Sequence, residues 1–308
     1  MMKCPHCESE ESQEIIAQES TVSCVNCGAE IEKGDLTSAT KCEHCGTYVL
    51  VNENLVNEKR PNLVIPFAID KNKAADILRK RFKKKMFAPS DFLSSTTLEK
   101  MEGLYVPFWL YDYDTHVNYN GIGIKIRKWT SGDIEYTETS RYSISRELDI
   151  KYEKLPVDAS NDMNDIIMQE IEPYDYKEII DFDPKFLSGF YSEVYSKSSN
   201  ELKSNAEARI NKYTKEWVMS TTKQYNRVEM PSFNVDMAPV QSNFALFPVW
   251  IYTYRFKGEN IRYYVNGQTG EVVGSIPISI GRTLIFGIIE FILSFLCLNA
   301  VLSCMGVF

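Results

Sequence analysis

Residues 104–119 read LYVPFWLYDYDTHVNY, and part of that phrase returns near the other end of the chain: VPFWLYDY at 106–113 matches FPVWIYTY at 247–254. The alternation of aromatic and β-branched residues with polar ones predicts strands lying on a core. Three further runs continue the pattern, GIGIKIRKW (121–129), DIEYTETSRYSIS (133–145) and ELDIKYEKL (147–155), with turn signals at Asn120-Gly121 and Ser131-Gly132. Together they predict an antiparallel sheet. The shared Pro-x-Trp-aliphatic-Tyr-x-Tyr phrase points to two related half-domains, each a strand-rich unit packed on a helix. Its aromatic residues read as core rather than as a ligand box.

Working outward, NLVIPFAI (62–69) reads as a first strand, and KNKAADILRKRFKKKMFAP (71–89) as an amphipathic helix with Ala74, Leu78, Phe82 and Met86 on one stripe. The other faces of that helix carry Lys71, Lys73, Arg79, Lys80, Arg81, Lys83, Lys84 and Lys85. Such a face suits anionic lipid or another polyanion, or is simply solvated. VDASNDMNDIIMQEI (157–171) predicts a helix beginning at Ser160 or Asn161. FDPKFLSGFYSEVY (182–195) and the longer 199–225 stretch predict two more helices. Strands return at 227–238, 243–256, 261–266 and 271–276.

Ahead of this body lies CVNCGAEIEKGDLTSATKCEHCG (24–46), two Cys-x-x-Cys-Gly turns with fourteen residues between Cys27 and Cys42. Paired Cys-x-x-Cys turns place four soft thiolates around one tetrahedral zinc, so Cys24, Cys27, Cys42 and Cys45 are the expected ligands. Spacing and glycines favour that over a redox dithiol or plain buried cysteines. A third pair, Cys4 and Cys7, lacks the following glycine. It reads as a half site whose thiols either stay free or borrow His6, while His6 and His44 read as outward-pointing knuckle residues.

Behind the body, residues 283–308 read TLIFGIIEFILSFLCLNAVLSCMGVF, with Glu290 the single charge. At 1.5 Å per residue this spans a hydrocarbon core of about 30 Å, and a buried core helix is the competing reading. Arg255, Lys257, Arg262 and Arg282 precede the segment and no cation follows it, which predicts a single-pass tail anchor with the bulk in the cytoplasm. Glu290, Ser294, Cys297 and Cys304 fall near one helical stripe, with Asn299 opposite. The chain is thus expected to be α+β, divided as zinc ribbon (1–50), linker (51–61), strand-rich half-domain (62–160), helical and strand half-domain (161–280) and transmembrane tail (283–308).

With 308 residues, 44% of them hydrophobic, the chain is long enough for about two domains plus appendages. The six cysteines before Cys297 all fall in close pairs, which fits a reducing compartment. No two glycines stand five apart, so a Walker A phosphate loop is absent. Outside the knuckles His116 is the one histidine, in an alternating strand, and no acid/base pair stands out. An enzyme is not expected.

The ordered phrases YVPFWLYDYD, WTSGDIEYTETSRY, LPVDAS, IEPYDY, LSGFY, LFPVWIY and VNGQTGEVVG, behind a ribbon and before a hydrophobic tail, resemble a family of bacterial membrane-anchored proteins labelled "TFIIB-type zinc ribbon-containing". Some of its members carry a primosomal helicase (PriA-like) name. The resemblance covers roughly Cys24 to Arg282; family members often begin with two full ribbons, whereas this chain has three knuckles. It implies architecture more than activity, and a place among membrane-associated stress or scaffold systems. The missing phosphate loop argues against a helicase.

Two functions are weighed: a membrane-anchored adaptor whose ribbon contacts an unidentified protein partner, or a membrane-tethered nucleic-acid binder. Charge favours the first. Residues 1–50 set Lys3, Lys33 and Lys41 against nine carboxylates, a net of −6, and the whole chain carries −8. A tetrathiolate zinc makes the ribbon more negative still, and phosphate binding needs cations.

Overall fold

The computed structural model describes residues 2–3, 10–11, 21–51, 59–83, 85, 87–89, 91–94 and 98–304. Cys4, His6, Cys7, linker residues 52–58, Lys84 and Met86 lie outside the described residues. The fold is mixed α+β. Two short ladders stand apart, β1 (Met2–Lys3) with β2 (Glu10–Glu11) and β3 (Thr21–Ser23) with β4 (Glu30–Glu32). The other described strands form one sheet: β5 (Thr37–Lys41), β6 (Tyr48–Leu50), β7 (Leu63–Val64), β8 (Glu102–Ser131), β9 (Ile134–Asp158), β10 (Ile180–Asp181), β11 (Tyr191–Glu193), β12 (Arg227–Phe256), β13 (Glu259–Asn266) and β14 (Val272–Val273). Among the described residues the α-helices are α1 (Lys71–Phe82), α2 (Asp165–Glu170), α3 (Ser199–Ser220) and α4 (Ile280–Cys304).

At the centre of the sheet the two Pro-x-Trp segments lie side by side, antiparallel, with Val106 opposite Phe247. The ladder between β8 and β12 runs from Glu102–Ile251 to Ile124–Arg227, so residues 62–160 and 161–280 contribute to the same sheet. Matching contacts flank this ladder. On the outer edge of β12, β7 pairs in parallel at Ala245–Leu246 and β13 then pairs antiparallel. On the outer edge of β8, β11 pairs in parallel at Leu104–Tyr105 and β9 follows antiparallel. The indole of Trp250 donates to the carbonyl of Ile69 (2.8 Å), one residue before the α1 N-cap Asp70. That of Trp109 donates to Lys197 (2.9 Å), one residue before the α3 N-cap Ser198.

Each tryptophan therefore satisfies its one polar group on the chain entering a helix, while its ring stays in the core. The helix starts are locally encoded: Asp70 accepts from the amide of Lys73, and Ser198 with Glu201 forms a capping box. Helix α1 buries Ala74, Leu78 and Phe82 against Trp250, Tyr252 and Tyr263. Helix α3 buries Leu202, Ala206 and Ile210 against Tyr111, Tyr113 and Leu155. Across the sheet, Met168, Ile171 and Tyr174 cover Val106, Phe108 and Phe247. Each such apolar side chain contributes about 1.5–3 kcal/mol of transfer free energy.

Several boundaries differ from the sequence reading. The expected turn at Asn120-Gly121 is absent, and β8 runs straight through it. Gly121 and Gly123 instead give room to rings: a Cβ would sit 2.2 Å from the Tyr119 hydroxyl at the first and 2.6 Å from the Tyr225 ring at the second. The turn at Ser131-Gly132 forms, with Gly132 at φ +63°. Residues 182–195 do not form the expected helix. Asp183 caps a single 3-10 turn at Pro184–Leu187, and β11 follows. Helix α2 starts at its N-cap Asn164, whose Oδ1 accepts from the amides of Ile166 and Ile167 (2.9 and 3.3 Å), rather than near Ser160. The first expected strand shortens to Leu63–Val64.

Candidate metal centre

The two Cys-x-x-Cys-Gly turns fold alike. In the first, the Gly28 amide bonds to the Cys24 carbonyl (2.9 Å) and the Cys24 amide to that of Ala29 (2.8 Å). In the second, Gly46 bonds to Cys42 (2.9 Å) and Cys42 to Thr47 (2.8 Å). Gly28 and Gly46 both sit at φ +74°, a backbone state that L side chains resist, although a Cβ would meet nothing within 3.4 Å at either. The glycines are thus required by conformation, not by space.

The turns bring four sulfurs together, with all four Sγ atoms within 4.8 Å of one another, Cys24–Cys45 at 3.6 Å and Cys27–Cys42 at 3.7 Å. No disulfide joins them. Four sulfurs placed about 2.3 Å from a shared ion at tetrahedral angles stand about 3.8 Å apart, so this donor set could hold a metal ion with little movement. Cys24 and Cys42 are buried among Ile31 and Val49, while Cys27 and Cys45 are exposed. The hydroxyl and amide of Thr47, then Asn26, pull the Cys45 thiol down to about 5. At Cys27 the Ala29 amide pulls the same way, but the bond to Cys45, partial desolvation and the remaining two thiols outweigh it and push the group up to about 12. His44 is exposed and outside the cluster.

The second knuckle is part of the main fold. Strand β5 pairs with β11, Ala39 opposite Ser192, and the Val194 amide donates to the Leu36 carbonyl (2.8 Å). The first knuckle holds to the second through the sulfur cluster and the Asn26–Thr47 side-chain bond (3.2 Å). Around the centre Glu30, Glu32, Asp35 and Glu43 are exposed.

The tail is carried by the other end of the sheet. Helix α4 contains an apolar stretch, Ile280–Val301, with mean hydropathy 2.3 and no buried residue, long and apolar enough to cross a membrane. Its base docks beside α1: the Ser279 amide donates to the Phe87 carbonyl (2.8 Å), Arg282 to that of Ala88 (2.7 Å), and Phe286 stands edge-on to Phe87 (5.4 Å). Lys73, Lys80, Arg81, Lys83 and Lys85 are exposed, Lys71 bonds to the Glu99 carbonyl (2.6 Å) and Arg79 pairs with Asp76 (2.8 Å). Asn299 turns back onto the Phe295 carbonyl (2.7 Å), and Glu290 is exposed.

His116 is indeed a strand residue, with Asp149 at 2.8 Å and Glu147 at 3.5 Å; the Asp149 hydrogen bond, chiefly, raises its imidazole above the ordinary range. An ion pair between the buried Arg209 and the half-buried Glu172 (3.0 Å), and the buried Asp158, were not marked by any local spacing. The signal in the chain is only a lone acid closing an alternating strand.

Among known proteins, the chain is similar to one from Bacillus subtilis (strain 168) described as uncharacterized protein YdjG, 34% identical over 233 residues, which is 76% of this chain and 68% of that protein. No protein-family model matches the chain. No solved structure matches it either.

Proposed function

This chain belongs to the family of Bacillus subtilis YdjG, and within that family we propose that it is a membrane-anchored, cytoplasm-facing zinc-ribbon adaptor or scaffold, with no catalytic role. The observation that carries the reading is the continuity of one sheet from the metal centre, through β5, β11 and β8, to the β12–α1 end where the tail helix docks. A rigid link of that kind holds a contact surface at a fixed place relative to a bilayer.

Zinc is the metal that four thiolates at this spacing favour, and Cys24, Cys27, Cys42 and Cys45 would hold it as a structural staple. The acidic rim of the ribbon suits a protein partner in membrane stress or envelope assembly better than a phosphate backbone. The positive-inside bias supports a cytoplasmic bulk. The basic end of α1 leads directly into the Phe87–Ala88 segment that seats α4, so its cations suit anionic headgroups there. Kinship with the TFIIB-type zinc ribbon proteins is part of the same proposal. So is an internal duplication, supported by the paired tryptophan-to-helix bonds and by the matched β7–β12 and β11–β8 pairings.

Crosslinking and pull-down of the full chain from membranes tests the adaptor reading, with Cys24→Ser beside the wild type. The expected result is a partner set lost in the variant while the chain stays in the membrane fraction; an unchanged partner set overturns the ribbon's role. Deleting 283–308 is expected to release the chain to the cytosol.

A nucleic-acid reading draws on one observation, the far tip of the β8–β9 hairpin. There Trp129 stacks on Tyr136 (5.5 Å between centroids), Arg127 lies over Trp129, and Lys125 lies over Tyr142. Retention of DNA by the detergent-solubilised chain, falling steeply with salt, would favour it over the adaptor.

A further inference from the structure

At the free edge of β9, between α2 and α3, lies a cavity of about 280 Å³, near the lower end of the range for small-molecule sites. Asp158 closes its inner wall. That carboxylate is 5% exposed; its Oδ1 accepts from the Ser160 amide (3.1 Å), and its Oδ2 is buried with no hydrogen-bond partner. Arg209, 8% exposed, lines the same cavity. Its terminal nitrogens are engaged by the Pro156 carbonyl, Glu172 and Tyr213, while its buried Nε has no partner. The two residues that carry this orphaned acceptor and this orphaned donor line the same cavity. Buried polar groups are almost always satisfied, so two together point to a ligand.

The other hairpin shows what the same position looks like when the chain fills it. Asp158 stands opposite Phe108, and Asn266 opposite Val249, the residue that matches Phe108 in the repeated phrase. Asn266 Oδ1 accepts from the Gln268 amide (2.9 Å), as Asp158 Oδ1 does from Ser160. Its Nδ2 then donates to the carbonyls of Ile171 and Pro173 (3.0 and 3.3 Å). At Asp158 the corresponding atom is an acceptor, and it has no protein donor.

We propose that this cavity binds a small amino-acid-like zwitterion, its ammonium taken by Asp158, its carboxylate by Arg209 and Lys212, and its apolar side chain by Phe108 and Met168. The charge balance favours such a ligand. Glu172 already neutralises Arg209, and Lys197 serves both Asp165 (3.5 Å) and Asp158, so two carboxylates share one cation, which leaves room for an ammonium beside Asp158 and Lys212 available for an anion.

Calorimetric titration of the full chain in detergent with L-leucine, L-methionine and L-phenylalanine tests this, with 4-methylpentanoate as the amine-free control. Saturable binding of at least one of the three is expected, weakened about tenfold or more by Asp158→Asn and by loss of the amine. Lys212→Ala, on the helix surface, is expected to weaken it about fivefold without altering the melting profile. Absence of saturable binding by all three up to about 10 mM overturns the proposal, as does equal binding by Asp158→Asn or by 4-methylpentanoate.

Discussion

The β8–β9 and β12–β13 hairpins end on corresponding residues, Asp158 and Asn266, and their surroundings treat the two in opposite ways. Asn266 is wholly enclosed and uses four hydrogen bonds to tie the β13 end to residues 171–173 and to its own turn. Asp158 keeps the turn bond and directs its second oxygen to no protein donor. The tryptophans differ in the same sense. Trp250 is buried and packs with Phe67 and Phe190, whereas Trp109 is half-buried beside Tyr195 and Phe244. One end of the sheet is closed structure and carries the tail helix. The other, next to α2 and α3, retains a cavity.

The largest way to disturb that contrast is at the tryptophans. Trp250→Ala is expected to cost about 4 kcal/mol in urea unfolding and Trp109→Ala distinctly less, since the deeper ring leaves the larger void. Equal losses would show that the two ends are equally closed. Next, Asn266→Asp replaces a double donor with a carboxylate facing two carbonyls. It is expected to cost about 3 kcal/mol at neutral pH, and less in acid as the carboxyl protonates.

The reciprocal change, Asp158→Asn, is expected to stabilise. Burial, chiefly, pushes Asp158 from its ordinary 3.8 up to about 7. A carboxyl raised in the folded state favours folding fully below about pH 4, and that contribution is lost as pH rises to about 7. The linkage limit is about 4 kcal/mol, and an unpaired Asn amide returns about half of it, so a gain of about 2 kcal/mol is expected at pH 8. The two stabilities should cross at about pH 5 in the same melts, the variant being the less stable of the two in more acid solution. A gain that does not vary with pH would mean that Asp158 is not the titrating group.

The ribbon repeats the contrast on a smaller scale, and the effect on the main sheet should be the smallest. Its knuckles have the same turns, but only the second is paired to the sheet through β5 and β11. Chelation followed by amide exchange is expected to expose residues 21–32 first and to leave the Val194–Leu36 bond protected. Simultaneous loss of both would show that a metal held by the four thiols staples the sheet as well.

Much of this was legible in the chain because it is locally encoded. Two Cys-x-x-Cys-Gly turns form the same hydrogen-bonded loop wherever they occur, so the sulfur cluster could be assigned residue by residue from spacing. Ser198 with Glu201 and the periodic 199–220 stretch likewise carried α3. Gly121 misled, because a glycine that admits a ring from elsewhere reads the same as one that makes a turn. Residues 182–195 misled for a related reason: β11 is a strand because β8 and β5 offer it partners, not because its own residues prefer one.

By itself, then, the sequence determined the alternating strands, the four metal-competent thiols, the helix caps and an apolar tail, all of which depend on neighbours within a few residues. Only the tertiary structure decided that the repeated phrases pair with each other, that the second knuckle continues the main sheet, and that Asp158, Glu172 and Arg209 meet at one cavity. Those outcomes rest on contacts between residues about 40 to 155 positions apart, where hydrogen-bond partners and burial are set by the packed sheet and leave no period or spacing in the chain.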